Sequence, residues 1–243
     1  MSDKKKEIIH QLQKEILSLQ GFKTPATNAA RVGLGAIESA FPNARFPVAA
    51  IHEFICTGPS YTAATSGFIA GIVAALMQEG GASVWISSSR TIFPPALKAF
   101  GLEPDKIVFI DLQKERDLLW VMEEALKCNG IAAVICEIPD ISFTASRRLQ
   151  LAVEQSRVTG FIIRNQPRWM TVNACIASWK IKPLPTESED GLPGIGFTRW
   201  MVALVKIRNG KPGEWQLEWS GDRFRLVLPD AIPAIPEPKR KTG

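Results

Sequence analysis

The residues most able to do chemistry lie in the segment Gly58–Thr65, which reads GPSYTAAT between a strand-like and a helix-like apolar run. A phosphate-binding loop has the pattern GxxxxGK[ST], in which backbone amides surround phosphate, the lysine contacts it and the hydroxyl holds magnesium. Gly58 and Thr65 fit this pattern, but Ala63 and Ala64 replace its second glycine and its lysine. Because phosphoryl transfer depends on placed positive charge, the segment predicts a vestigial nucleotide site without ATPase activity or a bound cofactor.

The N-terminus of the helix that follows this segment is a second feature that can attract an anion. Its first amides and the positive end of its dipole allow weak binding of an anion or a nucleotide. Pro59 belongs to the same vestigial loop, and Ser60 and Thr62 carry hydroxyls beside it. Such hydroxyls commonly cap a helix, and a cap is the simpler interpretation of Thr62 or Ser60.

Three segments in order resemble the core of RecA. A Gly-Pro turn follows Glu53-Phe54, and the apolar run Ile131–Cys136 ends in Glu137, where an acid would order magnesium-bound water. The run Phe161–Arg164 then leads to Asn165-Gln166, similar to a strand end near the γ-phosphate. Two departures stand out, a Glu for the usual Asp and an arginine inside the last run. Glu137 is alternatively a solvated strand end, and Asn165-Gln166 alternatively forms a turn before a proline.

Apolar strands alternate with helices through the middle of the chain, which predicts a mostly parallel sheet covered by helices on both faces. The expected strands are Val48–Cys56, Ser83–Ser87, Ile107–Leu112, Ile131–Ile138 and Phe161–Arg164. The expected helices are Thr62–Glu79, Pro94–Phe100, Glu115–Cys128 and Thr144–Val158. His52 lies inside the first strand, and we interpret it as a packed or edge histidine.

The helices stop after the fifth strand. Ala174–Ile181, Trp200–Arg208, Trp215–Trp219 and Phe224–Leu228 are typical of strands, and Asn209-Gly210 indicates a hairpin. Antiparallel strands should therefore extend one edge of the sheet. Residues 185–196 indicate a loop, and the proline-rich residues 229–243 a disordered tail. The expected domains are an N-terminal helical segment at 1–46, a RecA-like domain at 47–228 and the tail.

Residues 4–20 predict a helix with one apolar stripe, Ile8, Leu12, Ile16 and Leu19. A helix of this length is marginal in water unless it buries such a stripe. The stripe could dock on the chain's own sheet, on a protein partner or on a second copy of the chain. A weaker helix candidate follows at Thr24–Ala40.

Composition narrows the classes of protein. Four cysteines without a CxxC pair and two histidines make a zinc site or a disulfide framework an unlikely design for this chain. The N-terminus is unlike a secretory signal, and no run approaches the roughly 18 apolar residues of a membrane span. We expect a cytoplasmic protein that does not bind membranes.

Charge is unevenly distributed along the chain. Residues 1–163 hold 16 Lys/Arg and 16 Asp/Glu, whereas residues 164–243 hold 13 and 8, which accounts for the net charge of +5. A basic C-terminal third attracts anions such as DNA, and a plain solvated surface is the alternative. Any DNA binding should be weak, non-specific, confined to residues 164–243 and strongly reduced by salt.

The C-terminal third resembles the ImuA family most specifically. The resemblance lies in SWKIKPLP at Ser178–Pro185, LPGIG at Leu192–Gly196, Arg199-Trp200 and RNGKPGEWQLEW at Arg208–Trp219. It covers roughly residues 1–228. The resemblance implies a RecA-like fold without recombinase activity, and a role in SOS-type, error-prone translesion DNA repair. It also implies contacts with ImuB, a polymerase-like protein, and with RecA.

Two other function classes stay open. A working nucleotide-dependent ATPase with an atypical loop would need a cation from elsewhere, such as Arg90 or Arg164. A SulA-like inhibitor of cell division would also be a RecA relative without a phosphate-binding loop, although the strands from Arg199 to Leu228 argue against that shorter chain.

Overall fold

The computed structural model describes residues 32–169, 172–186 and 196–227. The predicted helix at 4–20, with its stripe Ile8, Leu12, Ile16 and Leu19, lies outside the described residues. So do the tail at 229–243 and most of the expected loop at 185–196. Of the helix candidate Thr24–Ala40, the described end forms a short 3-10 helix, Gly35–Ala40, rather than an α-helix.

The middle of the chain alternates strands and helices as predicted. Its elements are β1 (Ile51–Cys56), α1 (Pro59–Leu76), β2 (Ala82–Ser87), β3 (Ile107–Asp111), α2 (Glu115–Leu126), β4 (Ile131–Ile138), α3 (Phe143–Ser156) and β5 (Thr159–Asn165). The predicted helix at 94–100 is a 3-10 helix that begins with two prolines and ends at Gly101, whose φ of 75° is left-handed. Two further short 3-10 turns, Met77–Glu79 and Pro104–Lys106, adjoin α1 and β3.

Four more strands complete one sheet: β6 (Ala177–Leu184), β7 (Thr198–Ile207), β8 (Gly213–Trp219) and β9 (Phe224–Leu226). The strand order is β3-β2-β4-β5-β1-β6-β7-β8-β9. The antiparallel extension is confirmed for β7 to β9, but β6 runs parallel to β1. The crossover after β5 returns the chain to the amino end of the sheet, so the change of direction comes one strand later than expected. The hairpin between β7 and β8 contains Asn209 at a φ of 57°, as its Asn-Gly pair predicts.

The two faces of the sheet bury separate cores. Helices α2 and α3 cover one face, and α1 covers the other together with residues 32–46. The α1 face is rich in rings. Phe54 stacks on Trp179, and Phe68 is tilted against both, with centroids about 6 Å apart in each pair. Large apolar side chains on every strand of this face bury the most surface, and this burial is the main source of stability.

Helix α1 with the turn that follows it, Pro59–Glu79, is long and apolar enough to cross a membrane, with a mean hydropathy of 1.4. The expectation that no segment reaches this threshold was therefore wrong. The fold uses this apolar character internally, because the ten consecutive residues from Ala64 to Val73 are buried. A core helix packed on a sheet passes the same test of length and composition.

His52 is a packed histidine, as the sequence analysis predicted. Its Nε2 donates to the carbonyl of Pro47 at 2.7 Å, and its Nδ1 accepts from the indole N–H of Trp179 at 3.3 Å. The ring stacks on Phe46 with centroids 4.4 Å apart. Burial lowers its pKa to about 4, against a smaller opposing effect of the hydrogen bond to Pro47.

This lowered pKa predicts a loss of stability in mild acid. Because the unfolded chain binds a proton near pH 6.5 and the folded chain only near pH 4, stability falls as pH drops through that window. The expected loss between pH 7 and pH 4.5 is about 2–3 kcal/mol. Urea unfolding at each pH measures it. His52→Gln should flatten the curve, and His10→Gln should leave it steep; the same slope in His52→Gln as in the wild type would contradict the assignment.

Candidate functional site

The vestigial loop is not a loop in the structure. Helix α1 begins at Pro59, directly after Gly58, and the amide of Thr62 already donates to the carbonyl of Gly58 at 3.0 Å. A phosphate-binding loop needs its amides free and pointing at the anion, whereas here they form helical hydrogen bonds. Only the amides of the first turn remain available to an anion, because a helix leaves them without an intrahelical partner.

The loop positions face different surroundings. Ala63 is exposed, Ala64 is buried, and Thr65 is fully buried, with its hydroxyl accepting from the thiol of Cys56 at 3.3 Å. The residue expected to hold magnesium therefore lies in the core. The prediction that Ser60 or Thr62 caps the helix is also wrong. Gly58 is the N-cap of α1, and no side chain makes a capping hydrogen bond there.

Glu137 is buried rather than solvated at its strand end. Its Oε1 accepts from the indole N–H of Trp85 at 2.8 Å, and its Oε2 accepts from the side-chain amide of Asn165 at 3.3 Å. Asn165 in turn accepts from the hydroxyl of Thr62 at 2.8 Å. Burial raises the pKa of Glu137 despite the hydrogen bonds from Trp85 and Asn165. The acid thus joins β2, β4, β5 and α1 instead of facing an open site.

At the end of β5, the neighbouring residues Asn165 and Gln166 make different contacts. Asn165 belongs to the Glu137 network, whereas the backbone amide of Gln166 donates to the carbonyl of Cys56 at 2.8 Å and its φ is 47°. The side chain of Gln166 lines a pocket that also includes Gly58, Pro59 and Ala63. The structure therefore brings these four predicted residues together and places Ala64, Thr65 and Glu137 behind them.

The pocket has a volume of about 580 Å³ and lies between α1 and the segment 91–100. None of the described residues that line it is charged. Its lining residues are Gly58, Pro59, Thr62, Ala63, Ser66, Gly67, Thr91, Ile92, Phe93, Ala96, Leu97, Phe100, Asn165 and Gln166. A volume of this size is typical of a small-molecule site, but its surface is unlike that of a phosphate site.

The two arginines that could have replaced the missing lysine are both paired. Arg164 is fully buried and donates to Glu53 and Asp140, each at 2.7 Å. Burial opposes its charge, but these hydrogen bonds outweigh burial and leave its pKa raised. Arg90 pairs with Asp111 at 2.6 Å and lies over the ring of Phe109.

Sequence reasoning missed Trp85 as a partner of Glu137. Nothing in the strand SVWIS distinguishes an indole that donates from one that only packs. Arg164 did carry a signal, since a charge inside an apolar strand must find a partner. The groups of three or more histidine, cysteine or acidic side chains that a metal ion needs are absent from the described ranges.

This sheet order and the helices on both faces define a RecA-like fold. The crystal structure of the RadB recombinase superposes with a TM-score of 0.58 at 11% identity, over 82% of this chain and 100% of that one. No protein-family model matches the sequence.

Protein ImuA of Caulobacter vibrioides, from strain NA1000 / CB15N, is 31% identical over 242 residues, covering 92% of this chain and 99% of that protein. Protein ImuA of a second strain, ATCC 19089 / CIP 103742 / CB 15, gives the same values. The chain belongs to the ImuA family. Family and fold together make it a RecA-like protein related to DNA damage.

The hydrogen-bonded position of Glu137 predicts a structural role. Glu137→Ala should lower the free energy of unfolding by about 1–3 kcal/mol, because Trp85 and Asn165 would lose a buried acceptor. Glu137→Gln should cost less, since one amide oxygen still accepts from the indole. Chemical denaturation measures both variants.

The matched control is Glu124→Ala, which removes an exposed ion pair with Lys127 and should cost at most about 0.5 kcal/mol. Equal stability of Glu137→Ala and the wild type would place Glu137 in a solvated or functional position instead.

Proposed function

We propose that this chain is a non-catalytic RecA-like accessory or scaffold protein of SOS-type, error-prone DNA repair, acting in the cytoplasm during translesion synthesis. Its proposed partners are an ImuB-like protein of the polymerase family and RecA. Assembly with a second copy of the chain is compatible with the proposal. Family membership and the RecA-like fold support the setting in DNA damage.

One observation carries the non-catalytic part of the proposal. The side chains that stand where nucleotide chemistry would be done are engaged with the protein itself. Glu137 is hydrogen-bonded to Trp85 and Asn165, and Thr65 to Cys56. A group that is already satisfied inside the fold must break those bonds to act on a ligand.

Charge in the C-terminal third supports a weak, non-specific contact with DNA, since residues 164–243 hold 13 Lys/Arg and 8 Asp/Glu. Several of these cations are committed within the fold. Arg164 is buried with Glu53, and Arg199 pairs with Glu218 at 2.8 Å. The positive charge left for phosphate is therefore smaller than the sequence total, which fits an auxiliary rather than a leading role for DNA.

The two alternatives make different demands. An ATPase with an atypical loop needs a mobile cation, whereas Arg90 and Arg164 are both paired with carboxylates. A SulA-like inhibitor would act on the cell-division GTPase. Capture from damaged cells separates the classes, because the scaffold should retain an ImuB-like protein and RecA, and an inhibitor should retain the GTPase.

The absence of ATPase activity is directly measurable. Phosphate release by the wild type with magnesium and ATP should not exceed the buffer blank. Ala63→Gly combined with Ala64→Lys should not create activity, because residue 64 is buried and Glu137 stays bound to Trp85. Release well above the blank that Glu137→Gln abolishes would contradict the proposal.

The apolar stripe near the N-terminus should hold a protein partner. Leu12→Asp combined with Ile16→Asp should abolish capture of the ImuB-like protein or RecA, because contacts of this kind concentrate their energy in a few apolar anchors. Gln11→Asp combined with Gln13→Asp is the control at polar positions. A lower melting temperature with normal capture would instead show that the stripe docks on the chain's own sheet. No change in either measurement would defeat both interpretations.

A further inference from the structure

The pocket beside α1 exists because the vestigial loop has folded into a helix. Helix α1 starts one residue after Gly58 and presents the small residues Ala63 and Gly67 to the pocket. Gly67 is required for the shape of the wall, since a Cβ there would meet the ring of Phe100 at 2.7 Å. Phe100 therefore packs directly against the helix backbone and forms the far wall.

Aromatic and branched side chains form the outer part of the pocket. Ile92, Leu97 and Phe100 line it, and the ring of Phe93 at its rim is 68% exposed. A large apolar ring with this exposure gains free energy when a second apolar group covers it. Rings also pair favourably with other rings beyond the area that they bury.

The polar groups of the pocket are few and uncharged. Thr62 and Asn165 hydrogen-bond to each other at 2.8 Å, and Gln166 adds an amide at the same end. The neighbouring Arg90 is paired with Asp111 at 2.6 Å. A phosphate in this pocket would have the first-turn amides of α1 but no cation among the lining residues to replace its water, which costs more than placing an uncharged group there.

We propose that this pocket binds an uncharged aromatic group, with an amide or hydroxyl directed toward Gln166. The group is either a free small molecule or a tryptophan-like side chain of a partner protein, and both have the same chemistry. The proposal rests on the proposed function only in requiring that the site no longer performs nucleotide chemistry.

The test is a titration of the isotope-labelled full chain, followed by amide chemical shifts, with indole and with N-acetyl-tryptophanamide. Saturable shifts are expected near Ala63, Gly67, Ala96 and Gln166. Ala63→Trp, at an exposed position of the wall, should fill the pocket and weaken binding at least about tenfold, the equivalent of 1.4 kcal/mol. Ala96→Trp fills it from the opposite wall and should do the same.

Gln78→Trp is the matched control, because residue 78 is exposed beyond α1 and does not line the pocket. Its affinity for both probes should equal that of the wild type, and melting temperatures confirm that each variant is folded. A titration with the peptide N-acetyl-Gly-Gly-Trp-Gly-Gly-amide separates the two sources. Binding as tight as that of N-acetyl-tryptophanamide assigns the site to a partner's side chain, and loss of binding assigns it to a free small molecule.

The absence of saturable shifts with both probes would overturn this proposal, as would shifts that Ala63→Trp and Ala96→Trp leave unchanged. A parallel titration with magnesium and ADP separates it from the proposed function. Nucleotide binding in the pocket would overturn the pocket assignment alone, because a non-catalytic scaffold is compatible with weak nucleotide binding. Phosphate release well above the blank would overturn the proposed function, and failure of the aromatic probes without phosphate release would leave it standing.

Discussion

The buried ion pair between Glu53 and Arg164 is the polar constraint at the centre of the sheet, because a charge inside the fold must keep its partner. It joins the two central parallel strands, β1 and β5, at 2.7 Å. Glu53 also accepts from Ser178 on β6 at 2.6 Å and from Asn173 in the preceding connection at 2.8 Å. The pair therefore fastens the parallel half of the sheet to the strand from which the antiparallel half grows. Removing Arg164 would leave Glu53 as an uncompensated buried charge, and removing Glu53 would leave Arg164 with only the partly exposed Asp140.

The same arrangement engages the polar side chains at the carboxyl edge of the sheet in contacts within the protein. Arg164 also donates to Asp140 and to the carbonyl of Trp169, which ties down the connections that follow β4 and β5. On the opposite face, Glu137 and Asn165 close a second network with Trp85. The polar groups of a RecA-like nucleotide site are turned inward, and the space left beside α1 is lined by uncharged residues. A protein built in this way keeps the shape of the fold, and the polar side chains at this edge are engaged with one another.

Much of the fold could be predicted from the sequence, because periodicity and turn chemistry are local. Apolar runs located β1 to β5, five of the six parallel strands, and Asn209-Gly210 located the hairpin. The 3-10 form of residues 94–100 was harder to predict, because prolines at the N-terminus of a helix are compatible with both an α-helix and a 3-10 helix. The parallel direction of β6 depends on a long connection and has no local signal.

The position of the site could be predicted from the sequence, but the burial and the hydrogen-bond partners of its side chains could not. The sequence located Gly58, Pro59, Ala63, Glu137 and Gln166 at the carboxyl edge. All of these except Glu137 line one pocket. Whether Glu137 is solvated depends on an indole 52 residues away, which no pattern near it records. The burial of Arg164 could be inferred from its place in an apolar strand, but its partners could not.

The central claim is that Arg164 serves the fold and is not held in reserve for a ligand. A double-mutant cycle with Glu53→Gln and Arg164→Met, measured by chemical denaturation, tests this claim most directly. Each single change should cost about 3–5 kcal/mol, and the double change should cost less than their sum by about 1–3 kcal/mol, since the second removes a charge that the first left unpaired. Small and additive costs would contradict the account and would leave Arg164 free to act on phosphate.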